Sequence, residues 1–202
     1  MVRFIHVFSP NLVVLLYNTG MDPSSNLILI GMPGSGKSTV GRILAGLLGW
    51  AFVDTDKLIE ERRQKPLQTI LDQEGIGAFI RVEAQVVRAL NLSHHIIATG
   101  GSVVLDQIAM QHLRALGFVV YLDVPLPKIE RRLWNIKTRG IVIKKHQSIR
   151  DIYRIRRPLY ERYADKIQPT AGLSAQQIAT AIKDWLLLQN ESFSAGRSQT
   201  RV

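Results

Sequence analysis

Residues 27–39 read Leu27-Ile28-Leu29-Ile30-Gly31-Met32-Pro33-Gly34-Ser35-Gly36-Lys37-Ser38-Thr39, and this stretch decides the fold. Its apolar beginning is typical of a buried strand, and residues 31–38 match the pattern G-x-x-x-x-G-K-[ST]. Glycines let such a loop curl until its N–H groups point at phosphate oxygens, Lys37 reaches the β- and γ-phosphates, and the Ser38 hydroxyl can bind Mg²⁺. The residues expected to bind a nucleoside triphosphate are therefore Gly34, Ser35, Gly36, Lys37, Ser38 and Thr39.

The composition indicates an ordinary soluble protein. The chain has 202 residues, of which 46% are hydrophobic and 21% charged, and this length suits one well-buried α/β domain better than two. No apolar run approaches the length that crossing a bilayer requires. The absence of cysteine excludes disulfides and thiolate chemistry and fits a reducing cytoplasm. We therefore expect a cytoplasmic protein with no membrane partner.

Most of the net charge of +10 comes from one segment. Residues 128–166 contain 13 Lys and Arg against 4 Asp and Glu. Such a segment downstream of a phosphate-binding loop is expected to close over a triphosphate and an acidic substrate, and residues 137–147 are the predicted mobile lid. Nucleic-acid-binding surfaces usually also carry exposed aromatic side chains or a helix that contacts the bases. Neither feature stands out in this sequence, so no nucleic-acid partner is expected.

The two ends of the chain differ from its centre. Residues 1–25 are predicted to be a disordered extension or a misassigned start, because Met21 and the polar stretch after it would serve as an alternative beginning. Residues 26–188 form the single predicted domain. Residues 189–202, rich in Ser, Gly and Arg, are predicted to be a disordered tail. No stripe of residues in the sequence is strong enough to identify a dimer interface, and we expect a monomer.

Short apolar runs alternate with amphipathic stretches of helix length. Strands are predicted over residues 27–30, 51–53, 95–98 and 118–122. Helices are predicted over residues 37–48, 56–63, 66–74, 78–90, 106–116, 127–134, 148–162 and 174–188. This alternation predicts an α/β fold in which helices cover both faces of a parallel sheet.

Polar residues follow two of the predicted strands, at the sheet edge where open α/β folds bind ligands. Asp54-Thr55-Asp56 can serve Mg²⁺ through one carboxylate and a substrate hydroxyl through the other, although one Asp would also suit a helix cap. Gly100 and Gly101 follow the third strand, where they either let the backbone approach a ligand or form a plain tight turn.

Three arginines of the basic segment are candidates for anion binding. Arg132, Arg139 and Arg156 carry planar guanidinium groups, which suit a bidentate grip on phosphate or carboxylate. An arginine on a lid also stabilises charge on a phosphoryl group during transfer. The neighbouring Arg150, Arg154, Arg157 and Arg162 are interpreted as solvated charges.

These motifs, in this order, resemble the shikimate kinases from about residue 26 to residue 170. The resemblance rests on the phosphate-binding loop, Asp54-Thr55-Asp56, Thr99-Gly100-Gly101, Arg139 and Arg156-Arg157-Pro158-Leu159-Tyr160. It implies a three-layer P-loop kinase fold with a five-stranded parallel sheet and a mobile basic lid. It also implies transfer of the γ-phosphoryl group of ATP to a ring hydroxyl of shikimate, which yields shikimate 3-phosphate on the route to chorismate and aromatic amino acids.

The resemblance assigns a role to each matching residue. Ser38 would bind Mg²⁺ with support from Asp54, and Lys37 would stabilise the transferred phosphoryl group. Asp56 would hold the acceptor hydroxyl and act as its base, beside Gly100 and Gly101. The three arginines would be Arg139 on the lid, Arg132 near adenine and Arg156 at the substrate carboxylate.

Three positions depart from the family pattern and affect the acceptor side or the lid. Ile80 stands where the family has a carboxylate-binding arginine, with Arg81 one place later, and Ser102 and Gly140 replace a glycine and a proline. Arg81 or Arg156 would have to compensate. One alternative is therefore a kinase of the same fold acting on another hydroxy acid, a sugar acid or a nucleoside monophosphate. A further alternative is an ATP-binding regulatory protein without transfer activity.

Overall fold

Five parallel strands form the centre of the computed structural model, which describes residues 26–133, 141–143 and 147–198. In chain order they are β1 (Asn26–Ile30), β2 (Ala51–Asp54), β3 (His95–Ala98), β4 (Gly117–Asp123) and β5 (Lys166–Pro169). Across the sheet the order is β2-β3-β1-β4-β5, with Ile28 opposite both Ile97 and Val119. The first strand therefore lies in the middle, and the loop that follows it opens at the centre of the sheet edge.

Seven α-helices cover the sheet in the part of the chain that is described. They are α1 (Lys37–Leu48), α2 (Thr55–Arg63), α3 (Leu67–Arg88), α4 (Gln107–Leu116), α5 (Leu126–Leu133), α6 (Ile149–Tyr163) and α7 (Ala175–Ser198). The predicted α/β class, with a five-stranded parallel sheet flanked by helices, is confirmed.

The alternation of side chains along β1 divides the core into two layers. Ile28 and Ile30 pack in one cluster with residues of α3, α4, α5 and α6. Leu27 and Leu29 pack on the other face, against α1 and α7. Because β1 is buried on both faces, its sequence is a continuous apolar run rather than an alternating one.

The structure adds one strand to the four that periodicity predicts. β5 lies at the edge of the sheet, and Gln168 is its only buried residue. A strand of this kind has no apolar run to mark it. The two helices predicted around residues 75–77 occur as one element, α3, which is kinked at Gly75, where φ is 79°. That backbone conformation favours glycine.

Several predicted segments extend beyond the described residues or differ in length. Residues 1–25 lie outside them, as does most of the predicted lid, including Arg139 and Gly140. Helix α7 continues ten residues past its predicted end at residue 188, to Ser198, and residues 199–202 of the predicted tail are not described. Within the described ranges, no helix has both the length and the apolar character needed to cross a membrane.

Candidate active site

The loop between β1 and α1 has the backbone shape that its glycines allow. Gly34 and Gly36 have φ values of 73° and 96°, in the left-handed region that favours glycine. A Cβ atom on Gly34 would also lie 2.9 Å from Leu133 Cδ2. The loop ends at Lys37, the first residue of α1, so the unpaired N–H groups at this helix N-terminus border the loop. The arrangement suits a bound phosphate.

Lys37 is buried across the mouth of the loop. Its Nζ atom donates hydrogen bonds to Gly31 O at 2.8 Å and to Met32 O at 3.0 Å. Burial lowers the pKa of Lys37 from 10.5 to about 8, and the carboxyl charges of Asp56 and Asp54 oppose that change. The ammonium group is therefore held beside the loop by neutral carbonyl oxygens, which charged phosphate oxygens can replace.

Ser38 and Asp54 bring two oxygen ligands together at the carboxyl end of the sheet. Ser38 Oγ donates to Asp54 Oδ2 at 2.7 Å, while Asp54 Oδ1 accepts from the Asp56 N–H at 3.1 Å. Asp54 is thus also the N-cap of α2, so the two interpretations that the sequence left open are compatible. The described residues contain no group of three or more His, Cys, Asp or Glu side chains that could enclose a metal ion. The pair fits Mg²⁺, which takes few protein ligands and completes its shell with water and phosphate oxygens.

Asp56 lines the same cavity. Burial raises the pKa of its carboxyl from 3.8 to about 6; the charge of Asp54 adds to this effect, and Lys37 opposes it. A carboxyl with a pKa closer to neutrality is a better proton acceptor for a hydroxyl group. The residue can therefore both orient an acceptor hydroxyl and take its proton.

The turn after β3 passes unusually close to two carboxyl groups. A Cβ atom on Gly100 would lie 2.0 Å from Glu83 Oε1 and 2.7 Å from Asp56 Oδ1. The Gly100 N–H donates to Thr55 Oγ1 at 3.1 Å, and Ser102 Oγ donates to Glu83 Oε2 at 2.5 Å. Gly100 is therefore required for the close approach of the backbone to these two carboxyl groups, and the approach of this glycine pair to a ligand stays a prediction.

Arg156 reaches the cavity from α6 and is only 2% exposed. Its guanidinium group donates to Gly101 O at 3.1 Å and to Val142 O at 2.8 Å. Tyr160, one turn later on α6, donates to Gly101 O at 2.6 Å. These contacts fix the plane of the guanidinium and leave further N–H donors for a ligand.

One cavity of about 600 Å³ joins these groups. The predicted residues that line it are Gly34, Ser35, Gly36, Lys37, Ser38, Thr39, Asp56, Gly100, Gly101, Arg132 and Arg156. Asp54 borders it through its hydrogen bond to Ser38. Arg132 also donates to Gly34 O at 2.8 Å, beside the phosphate-binding loop. Arg139, the predicted lid arginine, lies outside the described residues.

The placement of Arg81 differs from the prediction that it binds substrate. Arg81 is exposed and does not line the cavity, whereas Phe79 and Glu83 on the same helix do. Residues two apart on a helix point about 200° away from each other, so Arg81 faces away when Phe79 and Glu83 face inward. Ile80 packs against an apolar cluster that includes Ile59. Neither residue brings a positive charge to the cavity.

The sequence interpretation did not assign Phe79 or Glu83 to the site. Their spacing of four places both side chains on one helix face, which was the available signal. A glutamate there also fits a solvated surface, so the spacing alone does not identify a site. Lys128 and Thr170 also line the cavity and were not predicted.

Comparison with known proteins places this geometry in context. The family model described as shikimate kinase matches residues 33–187, a span that contains every described residue lining the cavity. The shikimate kinase of Pasteurella multocida (strain Pm70) is 39% identical over 168 residues, which cover 81% of this chain and 96% of that protein. The shikimate kinase of Shewanella sp. (strain ANA-3) is 38% identical over 169 residues, covering 82% and 99%.

Solved structures show the same similarity. A shikimate kinase from Acinetobacter baumannii in complex with shikimate has a TM-score of 0.76 and 31% identity, covering 86% of this chain and 97% of that one. A shikimate kinase from Bacteroides thetaiotaomicron has a TM-score of 0.70 at 24% identity, covering 80% and 98%. The second comparison supports the fold alone.

Proposed function

This chain belongs to the shikimate kinase family, and we propose that it transfers the γ-phosphoryl group of ATP to a ring hydroxyl of shikimate with Mg²⁺ as cofactor. Family membership makes it an ATP-dependent small-molecule kinase with a P-loop kinase fold. The observation that carries the proposal is the shared cavity, which joins the phosphate-binding loop to Asp56 and Arg156. Its product would serve the route to chorismate and aromatic amino acids in the cytoplasm.

The loop end of the cavity would hold the triphosphate. Backbone N–H groups at the start of α1 would bind the phosphates, and Lys37 would exchange its carbonyl acceptors for phosphate oxygens. Ser38 and Asp54 would hold Mg²⁺, which neutralises phosphate charge when it is bound. The protein's contribution is mostly positioning and electrostatic stabilisation, because phosphoryl transfer needs little covalent chemistry from it.

The opposite end would hold the acceptor. Asp56 would orient the acceptor hydroxyl and accept its proton as the oxygen attacks the γ-phosphorus. Arg156, fixed by its bonds to Gly101 O and Val142 O, would bind the substrate carboxylate through its remaining donors.

An ADP-release assay tests this proposal. Purified protein with ATP, Mg²⁺ and shikimate should release ADP faster than a blank without acceptor, and chelation of Mg²⁺ should abolish the difference. Asp56→Asn should lower shikimate-dependent turnover by at least about 100-fold. The exposed Asp184 provides a matched control, because Asp184→Asn should leave turnover unchanged. ADP release that does not depend on shikimate would overturn the acceptor assignment.

A second candidate is a kinase of the same fold with another acceptor. The observation that favours it is the apolar position of Ile80, which leaves Arg156 as the one described arginine at the acceptor end of the cavity. The same assay with other hydroxy acids, sugar acids and nucleoside monophosphates tests it. The convergence of Lys37, Asp54 and Asp56 argues against a regulatory protein without transfer activity.

We also propose that the protein acts as a monomer on a small acidic substrate, without a nucleic-acid or membrane partner. Chromatography with light scattering, run with and without ATP, should give the mass of one chain. A mass of two chains would contradict the monomer.

A further inference from the structure

Tyr160 is a fully buried side chain that the proposed phosphoryl transfer leaves without a role. It is 0% exposed, and its ring stacks on Tyr121, with the ring centroids 5.1 Å apart and an angle of 19° between the ring planes. Its hydroxyl donates to Gly101 O at 2.6 Å. Burial raises the pKa of this hydroxyl above its usual range, and the charge of Arg156 opposes that change. The hydroxyl therefore keeps its proton at neutral pH and remains a donor to the turn after β3.

Gly101 O is shared by two donors from α6. Arg156 Nη1 also donates to it, at 3.1 Å, and a carbonyl oxygen has two lone pairs, so both hydrogen bonds can form together. Tyr160 and Arg156 are four residues apart, which places their side chains on one face of the helix. The tyrosine hydroxyl makes the shorter of the two bonds. The position of the Gly101 carbonyl therefore depends on Tyr160, and the position of the guanidinium group depends on that carbonyl.

The carbonyl needs this restraint because it belongs to a glycine. Gly101 and the preceding Gly100 have no Cβ atom to restrict their backbone dihedral angles. Gly101 also packs against the phosphate-binding loop, since a Cβ atom there would lie 2.6 Å from Pro33 Cδ. That packing limits where the glycine can lie, and the hydrogen bonds from α6 then determine the direction of its carbonyl.

Arg156 carries the donors that this arrangement positions. Its described hydrogen bonds go to Gly101 O and Val142 O, and a guanidinium group has further N–H groups for a ligand. The residue also lines the cavity. A planar guanidinium binds a carboxylate well only in a suitable orientation, so whatever fixes its plane also affects its affinity for an acidic ligand.

We propose that Tyr160 is a positioning residue for acceptor binding. Its hydroxyl fixes the Gly101 carbonyl, and this carbonyl holds the Arg156 guanidinium group in the orientation that binds a carboxylate. The site then favours a hydroxy acid over a neutral acceptor of similar shape. This inference rests on the proposed function and deepens it by naming the residue that makes Arg156 selective for an acidic acceptor.

Steady-state kinetics of Tyr160→Phe with two acceptors test this role. The substitution keeps the ring that stacks on Tyr121 and removes only the hydroxyl. The acceptors are shikimate and its methyl ester, in which the carboxylate charge is blocked. The matched buried control is Tyr121→Phe, because Tyr121 is 1% exposed and its hydroxyl donates to Asp123 Oδ1 at 3.1 Å, and neither of these residues lines the cavity. Tyr163→Phe is a second control, on the same helix but not in the cavity wall.

With shikimate, Tyr160→Phe should raise the acceptor KM about threefold to tenfold, the effect of one lost hydrogen bond. The kcat and the KM for ATP should not change, because the lost contact contributes to acceptor binding alone. With the methyl ester, the wild-type KM should already be higher, and Tyr160→Phe should raise it no further. Tyr160→Phe and Tyr121→Phe should each lower Tm by about 2–4 °C. Tyr121→Phe and Tyr163→Phe should both keep the wild-type acceptor KM.

An unchanged shikimate KM in Tyr160→Phe would overturn the inference, whatever the change in Tm. An equal rise in KM with shikimate and with the methyl ester, or a similar rise in Tyr121→Phe, would also overturn it, since each would indicate a structural role alone. These results leave the proposed function standing. A wild-type protein that does not turn shikimate over is detected before any variant is measured, and it overturns the proposed function together with the inference.

Discussion

At the scale of single residues, the cavity brings together ionisable groups of opposite charge. Lys37 and Arg156 are buried cations that line the cavity, and its carboxyl groups are the buried Glu83 and the half-buried Asp56. Burial disfavours the charged forms of Lys37, Asp56 and Glu83 and so shifts their pKa values, and the neighbouring charges modify that effect. A ligand with a triphosphate at one end and hydroxyls at the other would satisfy both sets.

Lys37→Ala should lower turnover by at least about 100-fold, because its ammonium group lies beside the phosphate-binding loop, where it would stabilise charge on the transferred phosphoryl group. The fold should remain, because removing the buried ammonium group also removes its desolvation cost, which offsets the loss of its hydrogen bonds to Gly31 O and Met32 O. The measurements are kcat and the circular dichroism spectrum. Lys57→Ala is the control, because Lys57 is 65% exposed, and it should keep full activity. Normal turnover of Lys37→Ala would contradict its role.

Glu83→Gln should change the pH dependence of stability. Burial raises the pKa of Glu83 from 4.5 to about 7; the Ser102 hydrogen bond opposes this, the Asp56 charge adds to it, and the Arg156 and Lys37 charges oppose it. The folded state therefore binds more protons than the unfolded state between these pH values, and wild-type stability falls as pH rises through that window.

The variant cannot ionise at this position, so it should gain about 1–3 kcal/mol in free energy of unfolding relative to the wild type between pH 4.5 and pH 7. Above pH 7 the difference should stay constant. Urea unfolding of both proteins without ligand, at several pH values, measures this. A difference that is independent of pH would mean that Glu83 keeps an ordinary pKa.

At the scale of helices and strands, the packing of these elements determines how close the residues of the cavity lie to one another. Parallel strands end at one edge, so the segments after β1, β2 and β3 meet there. Helix α3 adds Phe79 and Glu83 from one face, and its first part, before the kink at Gly75, buries Leu67 and Ile70 in an apolar cluster. The turn at Gly100 then fits between α3 and the start of α2.

Gly100→Ala tests this fit. Its Cβ atom would meet Glu83 Oε1 at 2.0 Å, so the carboxyl groups must move apart. We expect the free energy of unfolding to fall by about 1–3 kcal/mol and the acceptor KM to rise at least about tenfold. Thermal unfolding and ADP-release kinetics measure the two effects.

Gly46→Ala is the matched control for this substitution. Gly46 lies in α1, and a Cβ atom there meets nothing within 4 Å. Alanine is favoured over glycine inside a helix, so this variant should be neutral or more stable by about 0.5–1 kcal/mol. If Gly100→Ala behaves like Gly46→Ala, the close approach has no functional consequence.

At the scale of the whole molecule, one cavity joins the phosphate-binding loop to Asp56 and Arg156. Its walls come from the loop after β1, from α3, from the turn after β3 and from α5, α6 and α7. A ligand that touches several of these elements stabilises only the folded arrangement. Ligand binding should therefore be visible as global stabilisation.

A nonhydrolysable ATP analogue with Mg²⁺, at about 100 times its Kd, should stabilise the fold by about 2.7 kcal/mol. For a domain of this size, that corresponds to a rise in Tm of about 5–10 °C. Excess EDTA should reduce the rise, because Ser38 and Asp54 then lack the ion that links them to the phosphates. An equal rise with and without EDTA would mean that the pair does not bind Mg²⁺.

By itself the sequence determined the α/β class, the phosphate-binding loop and the edge at which the strands end. These follow from local spacing and periodicity, as residues 27–39 show. The edge strand β5 was not predicted by periodicity, because only Gln168 of its residues is buried. Roles carried by resemblance, such as that of Arg139, stay predictions.

Only the tertiary structure decided which side chains share the cavity. Arg81 and Glu83 are two residues apart, yet one is exposed and the other buried, because α3 presents only one face to the turn after β3. Asp56, Glu83 and Gly100 are distant in sequence and converge through packing of separate elements. Local spacing cannot encode such convergence, since it depends on where long-range contacts place each element.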